Sequence, residues 1–245
     1  MANWSDPRMV GAPPSAVGTG SRDVAYDAGL RSYMLSVYNY MASGVLLTGI
    51  VALLFAQSGM ALDIMSGPGL TKYLIIFSPL AFVMAMSFGM NKMSTGTLQM
   101  MFWGFATVMG LSMSTIFLVY TGASIAQTFF ATAAAFAGLS LWGYTTKKDL
   151  SGFGTFLIMG VVGLLVASVI NIFMQSTTMN LVISFVGVLI FAGLTAYDTQ
   201  KIKSMYAYVA GTDMMGKTVI MGALSLYLDF INMFQFLLSF LGSRD

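Results

Sequence analysis

The sequence has no cysteine, no histidine and no glutamate in 245 residues, and only 8% of it is charged. Without cysteine there are no disulfides, no thiolate chemistry and no cysteine-ligated iron–sulfur cluster. Without histidine the usual general base, haem ligation and nearly all zinc sites are excluded. The scarcity of charge excludes an ordinary soluble domain, in which about a quarter of the residues are charged. What fills the chain instead is apolar, 57% of it. The composition is that of an all-α polytopic membrane protein, built by packing helices in lipid rather than around a water-driven core. Its first partner is the lipid bilayer; neither a nucleic-acid partner nor an organic cofactor is expected.

Seven runs are long enough to cross a bilayer, which takes about 20 apolar residues each. They are Tyr33–Ala56, Tyr73–Met90 (interrupted by Pro79), Leu98–Tyr120, Ile125–Tyr144, Phe153–Met174, Asn180–Tyr197 and Val219–Leu241. All are expected to be helical, because a helix satisfies its own backbone in lipid. The short alternating segments of a transmembrane barrel are absent. Residues 1–25 carry Pro7, Pro13 and Pro14 and lack the order of a cleavable signal peptide. They read as a mobile cytoplasmic tail before a single membrane domain, residues 26–245.

Basic residues give the orientation. Arg8, Arg22, Arg31, Lys92, Lys147, Lys148, Lys201, Lys203 and Lys217 fall on one side of the seven-span layout, against Lys72 and Arg244 on the other. The positive-inside rule predicts the N-terminus in the cytoplasm and the C-terminus outside. Small residues at four-residue spacing, Ala106, Gly110 and Ser114 on the third span and Ala134 and Gly138 on the fourth, predict close helix approach. The 22 methionines read as lipid-facing or gap-filling rather than as a thioether metal path.

Two carboxylates break the apolar pattern. Asp198 ends the sixth run, and Asp229 lies inside the seventh. Asp198 alone reads as a boundary charge that can pair with Lys201 at i+3. Asp229 sits ten residues into its run, about 15 Å along a helix axis and near mid-membrane. Ser225 and Asn232 share its face at i−4 and i+3, giving a polar stripe. That stripe can serve as hydrogen-bond glue between helices, but an ionisable group is a costly choice for glue. The two spans are consecutive and antiparallel, so the carboxylates can meet, with a few ångströms of shift or an unwound end of the sixth span. In a poorly solvated place they would share a proton. Such a pair is a pH-sensitive latch and, when ionised, a pair of hard oxygen ligands suited to Ca²⁺. Asn39, Asn171, Gln175 and Gln235 read as structural, and Lys92 as an anchor that could also neutralise the acidic pair.

Three stretches resemble the Bax inhibitor-1 family, in its bacterial branch. They are F-A-G-L-T-A-Y-D-T-Q-K-I (Phe191–Ile202), L-R-S-Y-M-L-S-V-Y-N-Y-M (Leu30–Met41), and Gly110–Leu150, which opens G-L-S-M-S-T-I-F-L-V-Y and closes W-G-Y-T-T-K-K-D-L. The resemblance implies seven helices with one central helix enclosed by the others. It implies a pH-sensitive Ca²⁺ leak gated by two hydrogen-bonded aspartates, which fall on Asp198 in A-Y-D-T-Q and Asp229 in Y-L-D-F-I-N. A cationic residue after the second span that interacts with the pair falls on Lys92. The chain ends S-R-D and lacks the basic tail of eukaryotic members, so regulation through such a tail is not expected.

The leading expectation is therefore a Ca²⁺-permeable, pH-gated leak in a bacterial inner membrane. Asp198 and Asp229 serve as latch and ion site, closed at low pH and open at higher pH. The rival is an interaction protein that modulates a membrane-bound protease without transport, using the N-terminal tail. No enzyme is expected: a serine protease of the membrane lacks its histidine, and a two-aspartate protease has its Y-D at Tyr197–Asp198 but not its G-x-G-D. A retinal protein would need a buried lysine in the last span, which is absent.

Overall fold

A computed structural model describes residues 19–67 and 69–244. The expected tail therefore lies largely outside the described residues. The helices are α1 (Thr19–Gln57), α2 (Met60–Ser66), α3 (Thr71–Gly89), α4 (Thr95–Met113), α5 (Ile116–Val119), α6 (Gly122–Thr145), α7 (Ser151–Met174), α8 (Thr177–Val209) and α9 (Met214–Leu241). Seven segments are long and apolar enough to cross a membrane, with α4 and α5 counted together as one.

The boundaries follow local chemistry. The side chains of Ser94, Thr121 and Ser176 accept from the backbone N–H three residues on and start α4, α6 and α8. The turn between α8 and α9 needs a left-handed residue, and Gly211 supplies it at φ +75°. At three places the helices differ from the apolar runs. Residues 19–25, read as tail, already belong to α1. The first connection contains the short helix α2. The sixth span does not end at Tyr197 but continues unbroken to Val209, so Asp198 is inside a helix and no unwound end is present. An apolar run marks only the part of a helix that lies in lipid; the polar turns beyond it leave no such trace.

The central element is α9. It packs against α1, α4, α6 and α8, while α3 sits on α4 and α7 chiefly on α8. Half of the apolar window of α9 is buried, against 11% for α7, although α7 has the higher mean hydropathy, 2.5 against 1.5. This order is the reverse of a soluble protein's. Lipid is the apolar phase, so the greasiest helix lies outside and the helix with polar groups goes to the centre.

Close approach occurs where backbones meet. Gly110 lets α4 lie on the Thr48 carbonyl of α1, and an added Cβ there would come 2.8 Å from that oxygen. Thr48 donates to the Ala106 carbonyl at 2.8 Å and shares a 2.6 Å hydrogen bond with the Tyr227 hydroxyl, joining α1, α4 and α9. On α6 the expectation fails. Ala134 and Gly138 are exposed, and nothing lies within 4 Å of a Cβ added at Gly138. The contact glycine there is Gly143, where a Cβ would collide with the Ala196 carbonyl oxygen of α8. Four-residue spacing identifies a face but not which face meets a neighbour.

Candidate functional site

Asp198 and Asp229 line the same crevice, of about 390 Å³, between α7, α8 and α9. Asp198 is about 16 Å from the end of α8 and Asp229 about 22 Å from the start of α9 at 1.5 Å per residue. The two therefore differ by roughly one helical turn along the bundle. No hydrogen bond joins the two carboxyls among the described residues, although both line the crevice.

Each helix contributes a distinct wall. From α9 come Ser225, Asp229 and Asn232, the polar stripe expected from helical spacing, with Leu228 and Phe236 beside it. Asn232 turns its amide onto the Leu228 carbonyl of its own helix, 2.8 Å away. From α8 come Phe191, Leu194 and Asp198, one face of the helix at three- and four-residue intervals. Gly187 leaves room for the Phe236 ring, which stacks on Phe191 at 5.8 Å and closes the crevice at the end away from Asp198. From α7 come Val161, Leu164, Leu165 and Ser168. Small residues hold α7 against α8: a Cβ at Gly154 would strike the Tyr197 ring, and Leu157 lies over Gly193.

The two carboxylates differ in exposure. Asp198 is half-buried, and Lys201, one turn on, lies over the Tyr197 ring at 5.8 Å rather than in an ion pair. Asp229 is 4% exposed. Its Oδ2 and the Tyr33 hydroxyl are the two buried side-chain polar atoms without a hydrogen-bond partner among the described residues. An unpartnered buried polar atom costs about 1–3 kcal/mol. An apolar residue at this position of the central helix would avoid that cost, so Asp229 works against stability.

Lys92 is not brought to the crevice. It is exposed in the turn after α3 and forms no ion pair among the described residues. Lys217, at the foot of α9, instead donates to the Met90 carbonyl at 3.3 Å. Gln235 is exposed, Asn171 holds the α7–α8 turn by accepting from the Ser176 N–H, and Asn39 is exposed.

Two features were not found from sequence. One is α7 as a wall of the site: it carries no charge, and Ser168, the polar residue on its crevice face, was its available signal. The other is a hydroxyl chain on the neighbouring face of α8, the one packed on α6, from Tyr38 to Ser140 at 2.5 Å and from Ser140 to Thr199 at 2.9 Å. The i, i+4 pair Thr195 and Thr199 was its available signal; each donates back to its own helix at position i−4.

Comparison with known proteins covers most of the chain. The family model described as inhibitor of apoptosis-promoting Bax1 matches residues 30–245. An uncharacterized Rickettsia prowazekii protein, RP147, is 45% identical over 227 residues, 92% of this chain and 95% of its own length. An uncharacterized Caulobacter vibrioides protein is 47% identical over 234 residues, 91% of this chain and 92% of its own. The inner membrane protein YbhL of Escherichia coli is 43% identical over 219 residues, 89% of this chain and 94% of its own.

Proposed function

The chain belongs to the Bax inhibitor-1 family, and from that membership and the crevice we propose that it is a pH-sensitive, Ca²⁺-permeable cation leak. Its membrane is the bacterial inner membrane, as for the YbhL relative. The single observation that carries the reading is two carboxylates from consecutive spans on one crevice, one of them buried and unpartnered.

The chemistry runs as follows. Among the described residues, Asp198 and Asp229 are the only ionisable groups lining the crevice. At low pH they hold one proton between them, and that shared proton draws α8 towards α9. As pH rises the proton leaves, and two anions in a poorly solvated space repel. Repulsion spreads α8 from α9 and presents carboxylate oxygens to a passing cation. Flux therefore increases with pH. Lys201, one turn beyond Asp198 on α8, lies over the Tyr197 ring and leaves the Asp198 carboxylate free to take part.

The N-terminus faces the cytoplasm in this proposal, with the Lys/Arg-rich ends of α6 and α8 on that side. Lys203 is anchored there, donating to the Tyr144 carbonyl at 2.7 Å with its ammonium 4.6 Å from the Tyr144 ring centroid.

The test is Ca²⁺ flux into proteoliposomes across pH 5–8 for wild type, Asp198→Asn and Asp229→Asn. Wild-type flux should rise with pH, and both variants should lose the dependence. Variants that keep the wild-type profile would end the latch proposal.

A further inference from the structure

We propose that the crevice between α7, α8 and α9 is a binding site for an amphiphilic organic ammonium, entered sideways from the lipid. The inference deepens the leak reading: it rests on that reading only for its consequence, block of flux, and not for binding itself.

The first argument is the donor set. Ca²⁺ takes about six to eight oxygens, commonly from several carboxylates. No group of three or more acidic residues that could hold a metal occurs among the described residues. The two carboxyls differ by about one helical turn along the bundle, so with Ser168, Ser225 and Asn232 they do not converge on one point as a resting Ca²⁺ site would require, though they suffice for an ion in passage. An alkylammonium asks for less: up to three acceptors at one end and an apolar enclosure at the other. The unpartnered Oδ2 of Asp229 supplies a charged acceptor, and 4% exposure means that no bulk water competes for it. A charge-assisted hydrogen bond there would be about twice as strong as a neutral one.

The second argument is shape. Beyond the polar groups, the walls are Leu164, Leu165, Phe191, Leu194 and Phe236. An apolar cavity with a few convergent polar groups is the ordinary form of a small-molecule site, and about 390 Å³ lies within its size range. Among the described residues no cation lines it: Lys201 lies over the Tyr197 ring and Lys92 is exposed in the turn after α3.

The third argument is access. α7 packs chiefly on α8, and among the described residues only α7, α8 and α9 line the crevice. Leu165 forms the lip of the crevice and is 63% exposed, so the opening faces the lipid tails. A ligand that partitions into the bilayer with its ammonium near the interface can slide along α7 and deliver its charge to Asp198, then Asp229.

The test uses 4-phenylbutylammonium as probe and 4-phenylbutanol as its neutral match, with the protein in nanodiscs and empty nanodiscs as reference. Titration calorimetry should show saturable ammonium binding, at least tenfold tighter than the alcohol. Asp229→Asn should weaken it at least tenfold. So should Leu164→Trp, which fills the crevice from α7 and leaves both carboxyls in place; it decides the matter if Asp229→Asn does not fold. Equal binding of alcohol and ammonium, or unchanged ammonium binding in Leu164→Trp, would overturn the site. In proteoliposomes the ammonium should inhibit wild-type Ca²⁺ flux. Loss of probe binding in Asp229→Asn with its pH-dependent flux intact would uphold the site and reject the leak mechanism.

Discussion

Replacing Asp229 with leucine should make the protein more stable and less active. Asp229 is 4% exposed, and its Oδ2 has no hydrogen-bond partner among the described residues. Removing a buried unsatisfied polar atom recovers about 1–3 kcal/mol. No hydrophobic gain is added, because the surrounding lipid is as apolar as leucine. Nor should the larger side chain be strained, since the adjoining crevice offers about 390 Å³. For a chain of this size about 1 kcal/mol corresponds to roughly 2–4 °C in melting temperature. Asp229→Leu should therefore melt several degrees higher than wild type in a thermal-shift assay in mild detergent, and in liposomes its Ca²⁺ flux should be lost at every pH. Such opposition between stability and activity marks a functional residue. A variant that melts several degrees lower would show that Asp229 is a satisfied structural group, and the argument built on its isolation would fall.

Three further outcomes follow from the packing. Thr48→Val should destabilise more than Tyr227→Phe, because it leaves the buried Tyr227 hydroxyl unpartnered, about 1–3 kcal/mol, whereas Thr48 keeps its bond to the Ala106 carbonyl in Tyr227→Phe. Adding Tyr227→Phe to Thr48→Val should then restore part of the loss; three melting curves decide it, and no restoration would refute the account. Gly143→Val should abolish accumulation of folded protein because its Cβ meets a backbone carbonyl that cannot move, whereas Gly138→Ala should be neutral within about 0.5 kcal/mol. Size-exclusion yield and melting temperature separate the two. The native chain has no cysteine, so single substitutions report sidedness directly. An impermeant maleimide should label Lys148→Cys only in inverted membrane vesicles and Gln175→Cys only in right-side-out ones, and the opposite pattern would reverse the orientation.

The polar stripe on α9 was legible because a helix has a fixed period: Ser225, Asp229 and Asn232 had to share a face, and all three line the crevice. Asp198 was legible as an oddity but misplaced as a helix end, since hydropathy stops where lipid stops and α8 does not. Lys92 was drawn towards the site by resemblance; it is exposed in the turn after α3 and is not among the residues lining the crevice. The small-residue rule was right for Gly110 and wrong for Gly138, which has no neighbour to approach.

Amino-acid order alone determined the medium, the number of crossings and the two acids that do not belong in hydrocarbon. Those are properties of transfer between water and lipid, and each residue contributes to them wherever it sits. Only the packed bundle decided that α7 is the third wall of the site, that α9 is central despite its lower hydropathy, and that Oδ2 of Asp229 has no partner. In lipid an apolar surface has no preferred neighbour, so the pairing of helices depends on shape and on a few polar contacts between residues far apart in the chain.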